Sequence, residues 1–368
     1  MKRVGFIVNS RIPAWSSLRR GMRPHHMLAG WPDKYSPMHF MRFGWIADEV
    51  NRGRDIRYEL FKPWRKYDAV VFLKSMEAGC VRLAEILRGR GCRVVFEANV
   101  DYYTGAGNES LPCELVPTPA QRSAAIRMTS LADRVIASSG HLAEICRRWN
   151  PVSAWVPDNI PSRMVPSGDS GAPVREGRLQ VWWSGMPAKI VDFLAIEKAM
   201  TAFRGRIHLN LVTGDISSAI GRLSPEQSAR IDKFLSTIGH TFHRFQDIPR
   251  LLRLYHQGGG VILSPRLLDN PYNQSHTEWK ITLGLACGLP AITSPQPSYL
   301  TVAERCRNPR TVCICNDDDA WRAAFEEALE GKNAEEKRAS AREVVRQYYS
   351  TKVVASQHLK ELGGALES

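Results

Sequence analysis

The sequence predicts two doubly wound α/β domains in tandem. Three observations point there. In both halves, short continuous apolar runs alternate with segments of helical period, the pattern of a parallel sheet covered on both faces. A stretch rich in Pro and Gly, residues 157–177, divides the two series. The chain has 368 residues, 43% hydrophobic and 24% charged. That is ordinary globular usage at a length that usually makes two domains.

The first series opens with residues 4–8, an apolar strand. Residues 69–73 and 93–96 read as further strands. Between them, residues 81–87 have helical period and stop at Gly89 and Gly91. Residues 134–137 make another strand, Ser138-Ser139-Gly140 a turn, and residues 141–148 a helix. Pro157, Pro161, Pro166 and Pro173, with Gly168 and Gly171, mark the divide. The second series has strands at 179–183, 207–212, 260–263 and 290–293. A helix at 279–287 ends at Gly288. The polar tail from residue 318 reads as helix with one break near Tyr348-Tyr349-Ser350, and Asp317-Asp318-Asp319 as its N-cap. The domains are therefore expected at 1–165 and 175–345, with a C-terminal helix, 346–368, packing back on the first. Sheets of this class bind ligands at the carboxyl ends of their strands. Two of them are expected to face across a cleft, one holding a donor and the other an acceptor.

The net charge is +13. Residues 1–100 carry 19 Lys and Arg against 9 Asp and Glu, so most of the excess lies in the first quarter. A charge so localised suits an anionic partner, either a phosphate-bearing molecule or a membrane surface. His25 and His26 lie there among Arg19, Arg20, Arg23, Trp15 and Trp31, a mixture suited to an interface. Nucleic acid is the weaker reading, because helix-turn-helix, finger and RNP patterns are missing. No apolar run approaches a membrane span, and the run after Met1-Lys2-Arg3 is too short for a secretory signal, so a cytoplasmic protein, peripheral to the membrane at most, is expected. The eight cysteines form no Cys-x-x-Cys pair, which argues for reduced thiols and against a zinc site.

The most informative stretch is 264–299. It holds Arg266, then Ser275-His276-Thr277-Glu278-Trp279-Lys280, then Ala286-Cys287-Gly288-Leu289-Pro290-Ala291-Ile292 and Ser294. A polar loop enters a helix whose N-terminus favours an anion, and Lys280 adds positive charge. The run from Lys280 to Ser294 resembles the donor-site signature of GT-B glycosyltransferases, particularly the family 4 group. Ala132-Asp133-Arg134-Val135-Ile136-Ala137-Ser138-Ser139 resembles the strand that closes the N-terminal domain in that family. Trp183-Ser184-Gly185-Met186-Pro187-Ala188-Lys189 resembles the turn that opens the C-terminal one. The likeness spans roughly residues 130–350. The sequence departs from it where the retaining members carry two Glu, here Ser275 and Leu283, and at Met186, where an Arg is usual.

The resemblance implies transfer of a sugar from a nucleotide-diphospho-sugar to a glycan, a lipid-linked or another anionic acceptor. It implies a donor substrate but no cofactor and no metal. Donor binding is expected of Gly185, Lys189, Arg266, Ser275, His276, Thr277, Glu278, Lys280 and Ser294, with Lys280 also stabilising the leaving diphosphate. Glu97 and Asp101 follow an apolar strand where a general base belongs. The other readings are a non-catalytic nucleotide- or glycan-binding protein and a sugar-nucleotide epimerase, both of the GT-B fold.

Overall fold

The computed structural model describes residues 1–9, 40–107, 111 and 115–367. The histidines, arginines and tryptophans named between residues 15 and 31 lie outside it. The chain forms two units.

The first unit comprises residues 1–105, 117–159 and 351–368. Among the described residues it has six strands: β1 (Lys2–Val8), β2 (Ile56–Leu60), β3 (Ala69–Leu73), β4 (Arg93–Ala98), β5 (Arg134–Ala137) and β6 (Ser153–Trp155). All pair in parallel, in the order β2-β1-β3-β4-β5-β6. Alternation along β1 sends Val4, Phe6 and Val8 into one core layer and Ile7 into the other. The helices Ala78–Gly89 and Pro119–Leu131 cover the layer of Ile7, while Trp45–Val50 and Thr351–Glu367 cover the other.

The second unit comprises residues 106–116 and 160–350. Its strands are β7 (Val174–Arg175), β8 (Arg178–Ser184), β9 (Ile207–Thr213), β10 (His240–Arg244), β11 (Val261–Ser264), β12 (Ala291–Thr293) and β13 (Val312–Ile314). The order is β10-β9-β8-β11-β12-β13, all parallel, with β7 antiparallel beside β8.

Each unit has one point where the strand order reverses: between β1 and β3 in the first, between β8 and β11 in the second. The expected strands are present. The edge strand β10 has no counterpart in the sequence reading, because four of its five residues are exposed and it shows no apolar alternation. The Pro-rich stretch is not a free linker. The chain passes between units at 159/160. Beyond that point, the Ile160 N–H donates to the Tyr349 carbonyl at 2.9 Å and the Gly171 N–H to the His256 carbonyl at 2.7 Å. No helix among the described residues is long and apolar enough to cross a membrane.

Candidate functional site

Four of the expected donor residues meet at the carboxyl ends of β8 and β11, the reversal point of the second sheet. Gly185 follows β8 directly. Its carbonyl accepts from Thr213 Oγ1 at 2.7 Å. A Cβ there would sit 3.1 Å from the Trp183 ring and 3.2 Å from Lys280 Nζ. Glycine thus keeps bare backbone beside a cation, which suits the close approach of a phosphate.

Lys189 and Asp192 come from the 3₁₀ segment Pro187–Ala195. In such a helix, side chains three apart eclipse, so both point the same way. Arg266 lies two residues past β11. Its guanidinium donates to Asp192 at 3.1 Å. Asp192 also accepts from the Leu267 N–H at 3.2 Å and from Asn273 Nδ2 at 3.0 Å. Lys189 Nζ donates to Asn273 Oδ1 and lies 4.2 Å above the Tyr272 ring. Lys280, in the first turn of the helix Trp279–Ala286, sends its Nζ back over the Trp183 ring at 4.8 Å. That Nζ is buried and has no hydrogen-bond partner among the described residues.

Three basic side chains therefore share one buried carboxylate, and with all three protonated the charge is unbalanced. Burial pulls the Lys189 ammonium down to about 7; Asp192 opposes the shift and Arg266 adds to it. Burial, with Arg266 and Lys189, holds Lys280 well below its ordinary range against the pull of Asp192. Arg266 also loses by burial, but Tyr299 and Asp192 more than restore it. His276 is pushed well down by burial and by the cations Lys189, Arg266 and Lys280. The neutral ring donates from Nδ1 to the Tyr272 carbonyl at 2.9 Å, which leaves a lone pair on Nε2. A cluster of this kind is stabilised by an added anion of two or more charges.

The other expected residues have partners within the fold. Ser294 Oγ accepts from the Arg266 N–H at 2.8 Å and donates to the Arg266 carbonyl at 3.2 Å, which fixes Arg266. Ser275 Oγ donates to the Tyr272 carbonyl at 3.1 Å, and Thr277 Oγ1 accepts from the Trp279 N–H at 3.3 Å. Both shape the entry to the helix. Glu278 is fully buried and acts on Tyr349, whose hydroxyl it helps to raise after burial has done most of that. Asp192, not Glu278, is the carboxylate felt by both lysines. Asp192, Asn273, Tyr272 and Trp183 are site residues that the sequence reading did not single out as such.

In the first unit, Glu97 is sealed in the core and ion-paired with Arg42. Burial opposes its charge, but Arg42 and His358 more than offset that and hold the carboxyl below its usual range. Asp101 Oδ1 accepts from the N–H groups of Tyr103 at 2.8 Å and Thr104 at 3.0 Å. Its buried Oδ2 has no hydrogen-bond partner among the described residues.

No protein-family profile matches the chain, and no curated protein does. Solved structures do match. HepE (Alr3699) of Anabaena, solved in complex with UDP and glucose, is 12% identical over 99% of this chain and 100% of its own, with a TM-score of 0.64. Sucrose-phosphate synthase from Thermosynechococcus elongatus is 16% identical over 81% of this chain and 74% of its own, at 0.56. A glycosyltransferase from Rickettsia africae is 12% identical over 87% of this chain and 88% of its own, at 0.56. At these identities the likeness shows the fold: two parallel α/β units of the kind found in GT-B glycosyltransferases.

Proposed function

We propose that the protein is a glycosyltransferase that takes a sugar from a nucleotide-diphospho-sugar, with the diphosphate held at the carboxyl ends of β8 and β11. The observation that carries this is the unpartnered, buried Lys280 Nζ beside Gly185, in a cluster of three cations with one carboxylate. A departing nucleoside diphosphate carries the charge that such a cluster lacks. Lys189 and Lys280 meet the diphosphate, Arg266 is held by Asp192 and Ser294, and Gly185 admits the backbone. HepE was solved with UDP and with UDP-glucose, which makes UDP the first nucleotide to test. Asp101 is the carboxylate to test as general base, since Glu97 is committed to Arg42. The basic first quarter supports an anionic or lipid-linked acceptor and contact with a membrane surface.

A thermal-shift series with UDP, GDP, ADP and dTDP and their sugar conjugates tests the donor site. One nucleotide should stand out, since a ligand at about 100 times its Kd adds about 2.7 kcal/mol. No shift with any of them would overturn the reading. Binding without transfer to any acceptor, hydrolysis or epimerisation would leave a non-catalytic binding protein, the reading favoured by Ser275 and Leu283 in place of two Glu.

A further inference from the structure

The first unit has a strand-order reversal of its own, between β1 and β3, and it lies outside the donor site. Val8 pairs with Leu73, so the next residues, Asn9 and Lys74, leave the two strands side by side. Both have left-handed backbone, with φ of 50° and 48°. For a lysine this conformation is uncommon and unfavourable.

A cavity of about 840 Å³ opens beside these two residues. That is the size of a small-molecule pocket, about 300–1,000 Å³. Met76 and Ala124 give it apolar lining, and Tyr102 a ring. Lys74, Arg82 and Arg127 give it charge. Arg127 is bonded to Glu85 at 2.6 Å. The side chains of Lys74 and Arg82 make no ion pair or hydrogen bond among the described residues, and Glu77 is the one carboxylate of the lining left without a cation. The lining also carries the polar side chains of Asn9, Gln121 and Ser123. A hydroxyl group both donates and accepts, so hydroxyls on a ligand can bond to amide and hydroxyl side chains alike.

We propose that this cavity binds a phosphorylated polyol, with its phosphoryl oxygens on Lys74 and Arg82 and its carbon skeleton against Tyr102 and Met76. The binding stands on the cavity alone; only its role as the acceptor site rests on the transferase reading. A soluble sugar phosphate and a phospholipid headgroup both present this chemistry.

The full chain would be titrated with glucose 6-phosphate, glycerol 3-phosphate and inorganic phosphate. It would also be sedimented with phosphatidylcholine vesicles with and without phosphatidylglycerol. The variant is Lys74→Asn/Arg82→Gln, since asparagine accepts left-handed backbone. Either the phosphorylated polyols or the anionic vesicles should bind, and the double substitution should weaken that binding about tenfold or more. The variant should keep the parent's calorimetric unfolding transition of the first unit, which shows that this unit folds. Ala124→Phe, which fills the cavity and keeps the charges, should weaken binding of the soluble polyols as well. No binding by either source, or binding that ignores the double substitution, overturns the site. Equal affinity for inorganic phosphate overturns the polyol part. If no nucleotide binds but the polyol still depends on Lys74 and Arg82, the transferase reading falls and this site stands.

Discussion

Lys189 carries a charge that its surroundings make conditional. Its folded value of about 7 lies below the ordinary 10.5, because burial outweighs Asp192. The unfolded chain therefore keeps a proton that the folded chain sheds between those two values. Stability of the unliganded protein rises with pH across that window and is lowest below it. A bound diphosphate reverses the balance by bringing negative charge to Lys189 and to Lys280, which Arg266 and Lys189 also depress. Binding above pH 7 then takes up a proton, and UDP affinity should fall by up to about tenfold per pH unit over pH 7 to 9. Titration calorimetry in buffers of different ionisation enthalpy reads the uptake, and Lys189→Met should flatten the slope. A flat affinity in the parent protein would refute it. Lys280→Ala should lower turnover several hundred-fold, if its charge is worth about 3–4 kcal/mol to the departing diphosphate. Unchanged turnover would remove it from catalysis. Gly185, Lys189 and Arg266 were legible because each lies shortly past a strand end, and Lys280 because it opens the helix that leads to Gly288-Leu289-Pro290. Asp192 was legible in principle, three residues after Lys189, but a short apolar segment with two charges does not declare itself 3₁₀. The fate of Glu97 was not legible, since its partner Arg42 is 55 residues away.

At the scale of elements, one close contact sets where Lys280 sits. The helix Trp279–Ala286 packs on β11 through Gly284, where a Cβ would come within 1.9 Å of the Ile262 side chain. Only glycine allows that approach, and Gly288 then ends the helix with a left-handed φ of 79°. Gly284→Ala should cost about 1–3 kcal/mol by overpacking, read as a lower denaturation midpoint. It should also weaken UDP binding, because the helix must move off the strand with its lysine. Full UDP affinity in the destabilised variant would show that the helix position does not set the site. The signature Gly-x-Pro-x-Ile revealed this helix and strand in the sequence. The strand β10 stayed hidden, since an exposed edge carries no burial pattern to read.

At the scale of the molecule, the chain begins and ends in the same unit. The last helix, Thr351–Glu367, buries Val354, Ala355 and Leu362 in the layer of Val4, Phe6 and Val8. Its His358 is fully buried, with Nδ1 3.0 Å from the Tyr58 hydroxyl and Nε2 3.8 Å from Glu97. Arg42, on the other side of Glu97, also donates to the carbonyls of Val156 and Pro157 at 2.8 Å and to Asp158 at 3.2 Å. Tyr58, Glu97 and Arg42 thus come to the core from separate stretches of chain, and the helix supplies their fourth partner. Deleting residues 351–368 removes the cover of one face of the first sheet and leaves Tyr58 without its partner. Losing a buried leucine alone costs about 2–5 kcal/mol, a large share of the stability of a domain of this size. The donor residues Gly185, Lys189, Asp192, Arg266, Asn273 and Lys280 all belong to the second unit, which has its own core. The truncated chain should therefore lose the cooperative unfolding transition of the first unit and keep a UDP-dependent rise in the melting of the second. Calorimetry with and without UDP, on the full and truncated chains, separates the two transitions. If truncation abolished the UDP effect while the second transition survived, the donor site would need the first unit as well.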